Sequence, residues 1–206
     1  MSTNVVTGLY DTYGAAEQTV RDLEAANVPG SDISIVANRS DTPAETLDTG
    51  HGAAAGAGTG ASLGGVVGAG AGLLAGLGIL AIPGVGPVVA AGWLVATVVG
   101  AVAGAGVGGV SGGLIGSLTG AGVSREHAHF YAEGVRRGGT LVTARVDDAR
   151  IPAVEAIMQR HGRVDRTARE QTYRDGGWAG FDENAGPYTP EERARNRAGY
   201  TGPPPI

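Results

Sequence analysis

The sequence predicts an α+β domain that is interrupted by a long apolar helical hairpin and followed by a mostly disordered tail. Three observations predict this organisation. Of the 206 residues, the run 52–124 contains no Asp, Glu, Lys, Arg or His but holds 24 of the 38 glycines. The segments on either side alternate short apolar strands with amphipathic helices, and residues 168–206 show no sustained apolar periodicity.

The segment before the apolar run has the pattern of a β-α-β unit. Residues 5–10 form an apolar strand pattern, and Asp11 or Thr12 can cap a helix over Tyr13 to Ala26. Residues 33–37 then predict a second strand. A helix between two strands is half of a small α/β sheet domain.

The segment after the run repeats this organisation. Ser124 can cap a helix that extends to Arg137, and residues 140–146 predict a third strand. Residues 151–161 predict a helix, and 163–165 predict a short last strand.

The two halves predict one discontinuous domain. Residues 1–51 and 124–167 together form a split β-α-β, ferredoxin-like pattern, since neither half has enough strands to be stable alone.

The glycines of the run recur every four residues on two arms. This spacing places small residues on one stripe of a helix, which lets two backbones approach closely, as in glycine-zipper interfaces. The spans 63–82 and 88–107 each contain 20 residues, about the length that crosses a hydrocarbon core. We therefore expect residues 52–123 to form a self-associating helical hairpin with these packing positions: Gly56, Gly60, Gly64, Gly68, Gly72, Gly76, Gly92, Ala96, Gly100, Gly104, Gly108, Gly112, Gly116 and Gly120.

Two environments can accommodate such a hairpin. A bilayer forces the backbone of a glycine-rich helix to form its hydrogen bonds internally, which favours a transmembrane hairpin in contact with membrane lipid. Arg125, Arg136 and Arg137 follow the second arm, so the hairpin would lie in a bacterial inner membrane with both termini cytoplasmic. The alternative is a soluble, cytoplasmic homo-oligomer whose glycine stripes pack between subunits.

The sequence predicts no catalytic, cofactor or metal site. Residues 104–109 match the dinucleotide pattern G-x-G-x-x-G but follow no predicted strand, and 60–64 and 109–113 match a nucleophile elbow only within glycine repeats. His127 and His129 are two positions apart, whereas ligands on one helix face are three or four apart. We therefore expect a protein that is not an enzyme.

Composition and charge exclude further classes. The chain has no cysteine, so disulfides and thiolate chemistry are excluded, and all 15 basic residues are arginine, so a phosphate loop with its lysine is excluded. The formal net charge is −5 without a basic patch, which argues against nucleic-acid binding.

Residues 168–206 predict a flexible tail. Thr189, Pro190, Glu191 and Glu192 have the pattern of a capping box, so a short helix over about 190–198 is expected. The tail's aromatic residues could dock on the domain or on a protein partner: Trp178, Phe181, Tyr188 and Tyr200.

Several segments together resemble a known family. They are residues 6–11 with 16–17, 22–23 and 32–36, the stretch 82–92, and residues 131–139 with the strand that follows. The chain is similar to the general stress protein family with the heat-induced YflT-like domain, over about residues 4–166. This resemblance implies a bacterial stress-associated protein, often a membrane protein, and supplies no catalytic residues.

These observations lead to two expectations about function. The first is a non-catalytic bacterial general-stress protein, anchored in the membrane and self-associating through the glycine-zipper hairpin. The second is a soluble self-assembling structural protein.

Overall fold

The computed structural model describes residues 3–42, 78–97 and 113–200. Its central feature is one five-stranded sheet with the strand order β1-β5-β2-β4-β3, in which every neighbouring pair is antiparallel. The strands are β1 (Thr3–Tyr10), β2 (Ile33–Asn38), β3 (Gly78–Ile82), β4 (Gly86–Gly92) and β5 (Thr140–Asp147).

Six helices surround this sheet within the described residues, and residues 93–97 form a further helical turn. Single 3-10 turns lie at Gly30–Asp32, Arg39–Asp41 and Asp148–Arg150. The helices are α1 (Tyr13–Ala25), α2 (Leu114–Gly120), α3 (Arg125–Arg136), α4 (Ile151–Arg160), α5 (Arg166–Asp175) and α6 (Pro190–Tyr200).

The predicted α+β class is confirmed. Strand β5 lies between β1 and β2, the arrangement of a split β-α-β unit. The predicted strand at 163–165 is wrong: Val164 donates one backbone hydrogen bond to Leu9 (2.8 Å), and α5 then begins at Arg166. Asp165 favours the helix because its carboxylate accepts from the backbone N–H of Ala168.

The sheet is covered by helices on both faces. One face packs against α1 and α4, through apolar residues such as Val20, Leu23 and Met158. The other face packs against α2, α3 and α5, through residues such as Phe130 and Tyr173. The domain is thus three layers thick.

The predicted helical hairpin is wrong at its centre, residues 78–92, whereas residues 93–97 and 114–120 of the predicted hairpin are helical. Residues 78–82 and 86–92 form a β-hairpin, and β4 extends the sheet by pairing with β2 from Ser34↔Gly92 to Asn38↔Val88. β2 would otherwise have one open edge with unsatisfied backbone groups, and β4 satisfies them. The rest of the predicted spans, 63–77 and 98–107, lies outside the described residues. None of the helices in the described ranges is long and apolar enough to cross a membrane.

The prediction of a mostly disordered tail is also wrong for residues 168–199. The short helix expected at 190–198 is confirmed as part of α6, and α5 adds a second helix. Tyr173 is 1 % exposed and Arg193 is 3 % exposed, so both helices pack on the domain. No apolar periodicity marks these helices in the sequence, because aromatic rings and arginines, rather than aliphatic stripes, make these contacts.

Candidate functional site

The predicted packing glycines fall mostly outside the described residues. Those outside are Gly56, Gly60, Gly64, Gly68, Gly72, Gly76, Gly100, Gly104, Gly108 and Gly112. Ala96 lies in the helical turn 93–97, and Gly116 and Gly120 lie in α2. A β-carbon at Gly120 would meet no atom within 4 Å, so this glycine makes no close backbone contact with the described residues.

Gly92 has a different role from the predicted one. It ends β4 with φ +92°, beside β2, so it belongs to no helical stripe. A β-carbon there would stand 2.8 Å from the Cα atom of Ser34. The sheet, and not helix packing, requires a glycine at this position.

The described residues form a polar pocket that the sequence did not predict. It lies where the end of β1, the carboxyl end of α3 and the two tail helices meet, and its cavity volume of about 10 Å³ has room for about one water molecule. We call it the arginine pocket; Gly138 and Gly139 line it beside the side chains of Leu9, Asp11, Arg137, Arg169, Tyr173 and Arg197.

A buried carboxylate organises the α3 side of this pocket. Glu133 is fully buried, and its oxygens lie 2.9 Å from Nε of Arg136 and 2.5 Å from Nε of Arg137. Arg136 and Arg137 keep only 9 % and 12 % of their side-chain surface exposed. Helical spacings of three and four place both guanidinium groups over the same carboxylate.

An arginine fork joins the tail to β1. Arg169 of α5 donates from Nη1 and Nη2 to the two oxygens of Asp11, at 2.7 and 2.9 Å. Burial lowers the pKa of Arg169, but the hydrogen bonds and the charge of Asp11 outweigh this, so that the pKa is raised. The guanidinium is therefore charged at any physiological pH.

A second fork joins α6 to the 3-10 turn after β2. Nε of Arg193 lies 2.9 Å from one oxygen of Asp41, and Nη2 of Arg197 lies 2.8 Å from the other. Arg193 keeps 4 % of its side-chain surface, whereas Arg197 keeps 36 %. Arg197 is thus the most accessible arginine of the pocket.

Aromatic rings make further contacts between the tail and α3. The guanidinium carbon of Arg137 lies 4.4 Å from the ring centroid of Tyr173, and that of Arg136 lies 4.8 Å from the centroid of Tyr188. Tyr173 stacks on Phe130 with 5.6 Å between the centroids. Such cation–π contacts are strongest where water is excluded, as it is here.

Arginines outnumber carboxylates in the ion pairs around the pocket. Five arginines (Arg136, Arg137, Arg169, Arg193 and Arg197) make their ion pairs with three carboxylates, those of Asp11, Asp41 and Glu133. The carboxyl end of α3 adds about half a negative charge.

The described residues offer no metal site. They contain no group of three or more His, Asp or Glu side chains that could hold a metal ion. His127 lies in the first turn of α3, where its backbone N–H is hydrogen-bonded to the capping Oγ of Ser124.

Sequence reasoning missed the arginine pocket because its members come from four separate segments. Two signals in the sequence point toward it: the use of arginine at all 15 basic positions, and the i, i+4 pair Arg193 and Arg197 in the tail. Arginine is preferred over lysine where a planar fork must bind a carboxylate or phosphate.

Comparison with family models matches part of the chain to a known domain. Residues 5–84 match the family model of the heat induced stress protein YflT domain. No curated protein and no solved structure matches the chain. The matched segment includes β1, α1, β2 and β3, and the match confirms the resemblance that the sequence suggested. Residues 5–84 of this chain are thus similar to the heat induced stress protein YflT domain, and this similarity suggests a general stress-related role.

Proposed function

We propose that this protein is a non-catalytic stress protein that self-associates through its two glycine-rich segments, 43–77 and 98–112. The family match over residues 5–84 supports the stress-related part of this proposal. One observation favours contact between copies over a membrane-spanning hairpin: both segments leave and re-enter the same folded domain.

The positions of the residues that flank each glycine-rich segment limit what that segment can span. Residues 43–77 connect the end of the β2 region to β3, which lie in the same sheet. Residues 98–112 connect the helical turn after β4 to α2, and both Leu94 and Leu114 are buried in the second core cluster. Each segment therefore starts and finishes on the same side of any bilayer.

The available length is shorter than a crossing and return. One span of a hydrocarbon core needs about 20 residues, so two spans need about 40. The first segment has 35 residues and the second has 15. The second is too short to cross and come back, and the first is shorter than two spans of typical length, whereas either can contact a second copy.

The glycine spacing supports a close interface between copies. Glycines repeated every four residues leave one stripe without side chains, and two such stripes can pack at short distance. Each glycine costs a water-exposed helix about 1 kcal/mol relative to alanine. A partner surface that buries the stripe offsets this cost.

The test measures the mass of the purified full-length chain without detergent, by sedimentation equilibrium over a range of concentrations. We expect a defined oligomer. Gly68→Leu and Gly104→Leu should shift it toward monomer, because leucine blocks the approach of the two stripes. Gly70→Leu and Gly106→Leu are the matched controls, since they lie two positions away on the opposite helix face and should leave the mass unchanged.

Two results would overturn this proposal. One is a monomer at every concentration. The other is a chain that stays with the membrane pellet after a carbonate wash and needs detergent for extraction, which supports the anchored hairpin instead. Equal effects of the in-phase and off-phase leucines would overturn the glycine-stripe interface in particular.

A further inference from the structure

We propose that the outer edge of strand β3 is an interface with a second copy of this chain, whose own β3 pairs with it antiparallel and joins the two sheets. The inference rests on the self-association proposed above and deepens it, because it adds a contact within the folded domain. β3 (Gly78–Ile82) begins directly after the first glycine-rich segment, so copies that meet through that segment bring their β3 edges close together.

The two edges of the described sheet differ. At the β1 edge, the backbone oxygen of Leu9 accepts from the N–H of Val164 at 2.8 Å, which gives that edge a partner from the same chain. β3 is the opposite edge, and within the described ranges its strand partner is β4 alone. An edge strand presents unpaired N–H and C=O groups to any further strand. The described residues therefore leave the β3 edge available for pairing.

The pairing of β3 with β4 indicates which backbone groups face this edge. Ile82 accepts from the N–H of Val85 in the turn at 3.1 Å, so its carbonyl points toward β4. Ala81 lies opposite Pro87, which has no N–H to donate to it. Backbone polar groups alternate between the two sides of an antiparallel strand, so those of Ala81 and Ile79 point to the open edge. Each of these residues offers one donor and one acceptor there.

A second copy of β3 matches these groups. In a two-fold antiparallel pair centred on Leu80, Ile79 lies opposite the partner's Ala81, and residues paired in this way exchange both backbone hydrogen bonds. A large side chain then packs beside a small one. Ile79 is 55 % exposed and is the only exposed large apolar side chain in the described part of the chain. The proposed pairing would bury it.

The absence of charge along this hairpin favours a second copy over a different partner. Residues 78–97 contain no Asp, Glu, Lys, Arg or His. Proteins commonly protect an edge strand with lysine or another charge, and β3 has none. Like charges that face each other across a two-fold axis repel, whereas an uncharged edge can pair with itself. Recognition of a different protein commonly relies on complementary charge, which this edge does not offer.

The experiment uses the absence of cysteine from the native chain, because an introduced thiol is then unique. Ile79→Cys and Ala81→Cys are purified separately, mixed and oxidised with oxidised glutathione, and non-reducing electrophoresis measures the cross-linked dimer. Both positions are exposed, so the fold should tolerate the change. We expect the mixture to cross-link several-fold faster than either variant alone. Directly opposite residues have Cα atoms about 5.5 Å apart, within disulfide range, whereas identical positions lie on a diagonal of about 7–8 Å.

Ala156→Cys is the matched control for this cross-linking. Ala156 is exposed on α4, away from β3, so its mixture with Ile79→Cys should react only at the rate of random collision. Ile79→Lys provides a second measurement, by sedimentation equilibrium. It should weaken self-association several-fold, because it places a charge in the apolar contact. Ala156→Lys adds the same charge outside the contact and should leave the association unchanged.

The outcomes separate this interface from the glycine stripes. Mixed cross-linking that persists when Gly68→Leu and Gly104→Leu are added supports β3 pairing even if the stripes make no contact. If those leucines lower the mass but the mixture cross-links no faster than the Ala156→Cys control, the stripes remain and the β3 interface is overturned.

Hydrogen exchange identifies what covers the edge. With β3 pairing, protection of the Ile79 and Ala81 amides should rise with protein concentration. Protection at every concentration without mixed cross-linking would show that the chain's own residues cover β3. Rapid exchange at every concentration would show an edge that binds no second copy and is left for another protein. Either result would overturn the proposal.

Discussion

A β-carbon on Gly92 would stand 2.8 Å from the Cα atom of Ser34, its partner in the neighbouring strand β2. Gly92 has φ +92°, and two residues later the backbone N–H of Leu94 donates to Oγ of Ser34 at 2.9 Å. The chain thus turns from β4 into the helical turn 93–97 directly over Ser34. The turn requires both the positive φ and the missing side chain.

Replacing Gly92 with alanine should lower the free energy of unfolding by about 2–5 kcal/mol. A left-handed conformation costs a non-glycine residue about 1–2 kcal/mol, and overpacking against a fixed strand typically costs about 1–3 kcal/mol more. Urea denaturation followed by circular dichroism measures this loss.

Gly14→Ala is the control for that substitution. Gly14 lies in the first turn of α1, and a β-carbon there would meet no atom within 4 Å. Alanine should leave stability unchanged or raise it by up to about 1 kcal/mol, through its better helix propensity. If the two variants changed stability by the same amount, close approach between Gly92 and Ser34 would not be the cause.

Much of the sheet domain could be predicted because its elements carry local signals. The helix expected from Tyr13 to Ala26 is α1, Tyr13–Ala25, and Thr12 caps it by accepting from the backbone N–H of Ala15. The predicted cap Ser124 likewise accepts from the N–H of His127 at the start of α3. Side-chain capping and helical periodicity depend on neighbours in sequence. Both can therefore be recognised before the tertiary fold is known.

The β-hairpin could not be predicted because its sequence is apolar on both faces. Strand β4 reads Gly-Pro-Val-Val-Ala-Ala-Gly, and Val88 to Ala91 are all buried, so no alternation separates a strand from a buried helix. What decides the conformation is the open edge of β2, nearly fifty residues earlier in the chain. A local sequence pattern in β4 therefore contains no information about its partner strand β2.

Glu133→Gln should lower the free energy of unfolding by about 3–5 kcal/mol. The substitution removes the charge that compensates Arg136 and Arg137, and breaking a buried pair from one side leaves the other charge unpaired at about that cost. Glu17→Gln on α1 is the matched control, because the pair of Glu17 with the exposed Arg21 should contribute at most about 1 kcal/mol. Urea denaturation of both variants makes the comparison, and similar losses would show that burial of Glu133 adds nothing.

Alkaline pH should destabilise the protein partly through Tyr10. This phenol is fully buried and donates to the backbone oxygen of Met158 at 3.2 Å. Burial raises its pKa from 10.0 to about 12, against a smaller opposing effect from a hydrogen bond with Thr19. Because the folded pKa lies above the unfolded one, the stabilisation is complete below pH 10 and is lost as the pH rises to 12.

Tyr10→Phe isolates this contribution. Above pH 10, the native chain should lose about 1.4 kcal/mol more per pH unit than the variant, until the pH reaches about 12. Tyr13, whose pKa burial also raises, stays in both proteins and cancels in the comparison. Unfolding free energies measured at pH 9, 10 and 11 give the two slopes, and parallel slopes would contradict the assignment to Tyr10.

Tyr173→Ala should release the tail while the sheet remains folded. The Tyr173 ring lies between Phe130 of α3 and Trp178, with centroid distances of 5.6 and 5.8 Å, and beneath the guanidinium of Arg137. Removing a buried aromatic ring costs about 3–5 kcal/mol, and here the loss falls on the contacts that dock the tail. In a Trp93→Phe background, Trp178 reports this directly: its emission should shift to the red in Tyr173→Ala and stay in place in Tyr173→Phe, which keeps the ring. Unchanged emission in Tyr173→Ala would show that the ion pairs of Arg169, Arg193 and Arg197 keep the tail docked on the domain without the aromatic contacts of Tyr173.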